Sequence, residues 1–157
     1  IASSLVGSEM CIRDRLRGKT DVIMMLNGAL GGLVAITAEP LMPSPIAAII
    51  IGGIGGALVF FGTELLVKMK IDDVVGAIPV HFIAGIWGTL AVPITNPDTS
   101  FGAQLLGTAS ICVFVFVVSY IIWTILKATI GIRISEEAEK EGTDVVETGV
   151  VAYSIRD

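Results

Sequence analysis

Between Ile46 and Val67 the chain reads IAAIIIGGIGGALVFFGTELLV, with Glu64 as its one charged residue and no proline. A helix rises about 1.5 Å per residue, so roughly 20 apolar residues cross a hydrocarbon core about 30 Å thick. This stretch has that length. No water inside a bilayer can satisfy an exposed N–H or C=O, and a helix pairs its own backbone groups, so a membrane-spanning helix is the reading. Three more apolar segments lie around it: Val22–Ala38, Val74–Ile94 and Phe101–Ile130. The first is near the lower limit for spanning, the third fits, and the last is long enough to tilt or to run past the membrane surface. The pattern predicts an all-α membrane protein of four transmembrane helices and a tail.

Composition supports this. The 157 residues are 54% hydrophobic and 16% charged, with a mean hydropathy of +0.85, against about 25% charged in soluble domains. The charge is also unevenly spread. From residue 22 to residue 130 the charged side chains are Glu39, Glu64, Lys68, Lys70, Asp72, Asp73, Asp98 and Lys127. Such apolar content excludes a disordered chain. A net charge of −5, with basic residues clustered only at 13–19, argues against nucleic acid as a partner. Cys11 sits in a polar head and Cys112 in an apolar run, so no disulfide or metal cluster is indicated. No cofactor is indicated either.

The breaks between segments carry turn chemistry. Pro40, Pro43 and Pro45 each remove a backbone N–H and end any helix running into them, and Asn96-Pro97-Asp98 closes the third span in the same way. Lys68–Asp73 is a short charged connection, where Asp72 and Asp73 favour a helix N-terminus; the other reading is that they gate or bind a partner. Arg13, Arg15, Arg17 and Lys19 precede span one, Lys68 and Lys70 join spans two and three, and Lys127 and Arg133 close span four. The loops 39–45 and 95–100 hold no Lys or Arg. All positive charge falls on one side, which is expected to be cytoplasmic, with both chain ends inside a cell membrane crossed several times.

Residues 16–130 form the transmembrane region and 131–157 a cytoplasmic tail. Ser135 followed by Glu136 and Glu137 reads as a capped helix start, and the chain beyond Gly142 as extended or loop. Residues 1–15 show no helical stripe and no signal-peptide order. The string from Ser4 to Arg15 looks like a translated sequencing adapter, and the chain opens without Met. A non-native head on an amino-terminally truncated protein is expected.

His81 is the single histidine and sits well inside span three. An ionisable group there is costly unless it faces a bundle interior or a water-filled path. Neutral imidazole both donates and accepts, so it can relay a proton or hold a small polar solute; the other reading is a packing hydrogen bond to a neighbouring helix. Glycines four apart, Gly28/Gly32 and Gly52/Gly56, read as close helix packing. Glu64 and Lys68 are placed as an i, i+4 pair near the surface. Trp87 lies too deep to be a simple interfacial residue. No nucleophile–base set and no metal-ligand spacing is visible, which points away from an enzyme.

Leu26–Ala38 (LNGALGGLVAITA), Asp72–Leu90 (DDVVGAIPVHFIAGIWGTL) and Gly131–Asp144, continuing to Ala152-Tyr153, resemble the ammonium transporter (Amt/Rh) family, over residues 18–157. The resemblance implies the last four helices of an eleven-helix protomer in a homotrimer, with a hydrophobic pore conducting ammonium or ammonia. It implies that His81 is the second of two pore histidines, that Ala77 lines the pore one turn earlier, and that Asp73 is an acid at the cytoplasmic end of the same helix. It further implies a regulatory tail, including Gly131, Arg133, Glu136, Gly142, Asp144 and Tyr153, that couples to a PII-type protein. Pro79 stands where the family often has glycine or serine, and Thr148-Gly149 where it often has His-Gly. The reading from another class is a small four-helix membrane scaffold, or an ammonium sensor signalling through its tail.

Overall fold

The computed structural model describes residues 22–41 and 43–151. The head, the basic residues at 13–19 and Tyr153 lie outside them. The described residues are helical, with no strand among them. Helix α1 covers Val22–Ile36 and α2 covers Pro45–Lys68. A π-helical segment, Ile78–Ile83, runs directly into α3, Ala84–Thr95. Then come α4, Phe101–Thr129, and the short α5, Glu136–Glu141, followed by a second π-helical turn at Asp144–Thr148.

Among the described residues, three helices are long and apolar enough to cross a membrane: Pro45–Lys68, Ile78–Thr95 and Phe101–Thr129. The first expected span is shorter than read. Its helix has 15 described residues and ends at Ile36, ahead of Glu39-Pro40. The third starts later than expected, because Val74 and Val75 lie in a turn before it. Helix α2 begins where its cap dictates. Ser44 Oγ accepts from the Ala47 N–H, and Pro45 occupies the first turn, where a missing N–H costs nothing.

The chain divides into two compact units at Ile111/Cys112. In the first, α1, α2 and α3 pack through small residues. Lipid tails are as apolar as leucine, so membrane helices associate through close van der Waals contact and hydrogen bonds more than through the hydrophobic effect. The contacts show this. A Cβ on Gly55 would lie 2.6 Å from Ala35 Cβ, and one on Gly88 only 2.4 Å from the Ala35 carbonyl oxygen. The deepest layer is Val59, Val80 and Ala84, with Val34 against it, and a second layer joins Ala35, Ile51 and Ala91. Trp87 belongs to this packing: its Nε1–H donates to the Ile51 carbonyl at 3.0 Å. Between the two loops expected outside the cell, Asn96 Nδ2 donates to Glu39 Oε2 at 3.0 Å.

No residue of α4 is buried. In the second unit, Ser135 caps α5 as expected, its Oγ accepting from the Ala138 N–H. The chain after Gly142 is not wholly extended. Glycines with positive φ at 142 and 149 bracket a helical turn, and the Val146 N–H reaches back to the Gly142 carbonyl. Local hydrogen bonding overrides the weak helix propensity of Val145 and Val146 there.

Candidate pore face around His81

Asp73 starts the helix that carries His81. One carboxylate oxygen accepts from the Ala77 N–H at 2.9 Å and the other from the Ile78 N–H at 2.8 Å. Two of the donors left over at a helix N-terminus are thus satisfied by one charged side chain. Asp72 is exposed and takes no such place. Gly76, just before the helix, has φ +76°. That left-handed turn lets the chain reverse from the 68–73 connection into the membrane, and it is strained for any residue with a Cβ.

The segment then divides its residues between two sides. Pro79 and Val80 are buried, Val80 at 2% exposure beside Val59 at 0%. Gly62 of α2 makes room for the ring: a Cβ there would sit 3.2 Å from Pro79 Cβ and 2.8 Å from Ile83 Cδ1. Ala77, His81 and Phe82 are exposed. No described residue hydrogen-bonds the His81 imidazole. The sequence singles out His81 as a lone ionisable side chain inside an apolar span, and the family resemblance adds Ala77 one turn earlier; both are exposed, while Pro79 and Val80 are buried.

The π geometry itself escaped the sequence. A π segment widens the turn by about one residue and is often found where a helix serves a site. Here its first turn carries Pro79, at a position whose N–H would have no intrahelical partner. Asn27 was also missed, although a lone amide within an apolar run is a signal in its own right. Its Nδ2 donates to the Val75 carbonyl at 3.0 Å.

The sequence profile of the Ammonium Transporter Family matches residues 1–153. The chain belongs to the ammonium transporter family. Its relatives include the putative ammonium transporter sll1017 of Synechocystis, 41% identical over 133 residues, covering 83% of this chain and 30% of the relative. Ammonium transporter Amt2 of Archaeoglobus fulgidus is 38% identical over 157 residues, covering 87% of this chain and 33% of its own length. Among solved structures, a sensor Amt protein superposes with a TM-score of 0.84 at 31% identity, covering 93% of this chain and 39% of that one. The chain therefore spans about a third of the length of the curated relatives it matches.

Of the tail positions expected from this ammonium transporter resemblance, Gly131 and Gly142 take positive φ, and Glu136 lies in the first turn of α5. Arg133 and Asp144 help line an open cleft of about 770 Å³, with Glu139, Lys140, Ile132 and Val151. Among the described residues no cluster of His, Cys, Asp or Glu could hold a metal ion.

Proposed function

We propose that this chain supplies one wall of a pathway that conducts ammonium or ammonia across the membrane, with His81 and Ala77 on the conducting side. The observation that carries this reading is the exposure of His81 on a membrane-length helix that buries Pro79, Val80, Ala84 and Gly88 against its neighbours. An imidazole left open to lipid is costly. The rest of a longer transporter, of which this chain is about a third, would cover that side and leave a narrow lumen beside the ring. Ammonium entering such a lumen sheds its water and transfers its proton to water at the mouth or to the neutral His81 imidazole, because a bare cation is far more costly in an apolar passage than neutral ammonia. The imidazole then accepts a hydrogen bond from ammonia or passes the separated proton along. Ala77 keeps the passage apolar one turn below. Asp73 fixes the helix start through its two backbone contacts.

In the intact transporter, His81→Ala is expected to change methylammonium uptake, the transport current, or both. Unchanged uptake with unchanged current would remove the conducting role.

The setting we propose is a plasma membrane homotrimer with a cytoplasmic carboxy terminus. The tail, with Gly131, Arg133, Glu136, Gly142 and Asp144, would then meet a PII-type regulatory protein. A second reading is favoured by the likeness to the sensor Amt protein: the same wall binds ammonium and reports it through the tail. Removing residues 131–157 separates the two. A transporter keeps its uptake and loses regulation, whereas a sensor keeps binding and loses signalling.

A further inference from the structure

We propose that the main-chain carbonyl of Thr89 is a second contact for ammonium, on its outer approach to His81, and that Pro93 opens it one turn further along α3. The proposal rests on the conducting role of His81.

Pro93 stands inside α3, well past its first turn. In an α-helix the carbonyl of residue 89 accepts from the N–H of residue 93. Proline has no N–H, and its ring presses on that same carbonyl, so the Thr89 oxygen loses its helical donor. The helix continues all the same, with the Asn96 N–H reaching the Val92 carbonyl at 3.0 Å. Side chains often fill such a gap in a membrane helix. Here the donors nearest in the chain are committed elsewhere: Trp87 Nε1 to the Ile51 carbonyl, Thr95 Oγ1 to the Val92 carbonyl and Asn96 Nδ2 to Glu39. The Thr89 hydroxyl gives its own proton to the Gly85 carbonyl at 3.0 Å, so the residue offers lone pairs only. Its placement follows from the helix. The buried residues of α3 are Ala84, Gly88, Ala91 and Val92. At about 100° per residue, Thr89 and Pro93 lie roughly 140° and 180° round the axis from Ala84. Both are only half-buried, on the side that the packing against α1 and α2 leaves open. Thr89 stands about 12 Å beyond His81 along the axis, on the way to the loop expected outside the cell. No charged side chain lies on α3. Acceptors without donors suit a cation that carries N–H groups on every side. An ammonium ion shedding water there exchanges one water for the Thr89 carbonyl, and meets the imidazole deeper in.

The opening closes when residue 93 carries an N–H. Pro93→Ala and Pro93→Gly both supply one, the second without a side chain. In the full-length transporter each is expected to raise the methylammonium concentration for half-maximal uptake at least threefold, while maximal uptake per folded transporter changes less than twofold. Thermal unfolding of the same samples should shift upward for Pro93→Ala, because an interior proline is removed and a helical hydrogen bond restored. A proline that merely shapes the helix gives the opposite pattern, with lower stability and lower maximal uptake at unchanged half-saturation. That pattern, or a half-saturation shift below threefold in whichever variant folds, overturns the proposal. An experimental map of the unmodified transporter with ammonium present tests it without any variant. Density within about 2.6–3.2 Å of the Thr89 oxygen is expected, and an acyl chain against that oxygen contradicts it. Calorimetric binding of methylammonium to the His81→Ala protein separates this claim from the one it rests on. If His81→Ala leaves uptake and current unchanged while adding Pro93→Ala still weakens binding, the conducting role of His81 falls and the Thr89 contact stands. If transport needs His81 and Pro93→Ala shifts nothing, the Thr89 contact alone falls.

Discussion

Replacing Gly88 by alanine tests whether backbone contact between α1 and α3 holds this bundle together. The added Cβ would lie 2.4 Å from the Ala35 carbonyl oxygen and 2.8 Å from both its carbonyl carbon and its Cα, where ordinary contact begins at 3.4 Å. The obstacle is main chain, so no rotamer can give way and the two helices must part by about 1 Å. Overpacking of this kind costs about 1–3 kcal/mol, and a rigid obstacle places it at the upper end. Alanine also returns about 1 kcal/mol of helix propensity relative to glycine. Gly53→Ala supplies the control, since a Cβ there meets nothing within 4 Å and gains the same propensity. The difference between the two variants isolates the clash, at about 3 kcal/mol. Reversible unfolding of the protein in bicelles measures it. Equal stability of the two variants would refute the idea that α1 and α3 touch backbone to backbone.

Two further substitutions act on the start of the His81 helix. Asp73→Ala removes both acceptors of the Ala77 and Ile78 N–H groups and should cost about 1–2 kcal/mol in thermal unfolding, with Asp73→Asn intermediate because one acceptor oxygen remains. Gly76→Ala combines a left-handed φ of +76° with a contact at 2.5 Å on Asn27 Nδ2, so it should exceed the roughly 1–2 kcal/mol of the backbone penalty alone. A loss below that in the same unfolding assay would argue that the turn before the helix is free to rearrange.

Much of the fold is legible in the sequence because charge is so costly in hydrocarbon. The charged breaks at Glu39, Lys68–Asp73 and Asp98 delimit the helices, and Ser44 and Pro45 announce the start of α2. The glycines read as packing residues, Gly28, Gly32, Gly52 and Gly56, are buried in α1 and α2. The short first helix is less legible, since apolar residues continue past Ile36 and only the turn at Thr37, whose Oγ1 bonds the Val34 carbonyl, closes it. The helical turn beyond Gly142 is hidden because single glycines end one helix as readily as they begin a turn. Least legible is the link from Asn27 to Val75, which joins residues 48 apart in sequence. Local pattern carries no record of such a bond. Its one signal, an amide in an apolar run, gains meaning only when the helices are side by side.

The most direct test of the conducting role is an experimental map of the intact transporter, measured with ammonium present, that gives the distance from the His81 ring nitrogens to the nearest non-protein density. Density within hydrogen-bond reach of the ring, about 2.6–3.2 Å, in a lumen lined also by Ala77 is the result expected. An imidazole turned toward acyl chains, or enclosed by side chains with no space beside it, would contradict it.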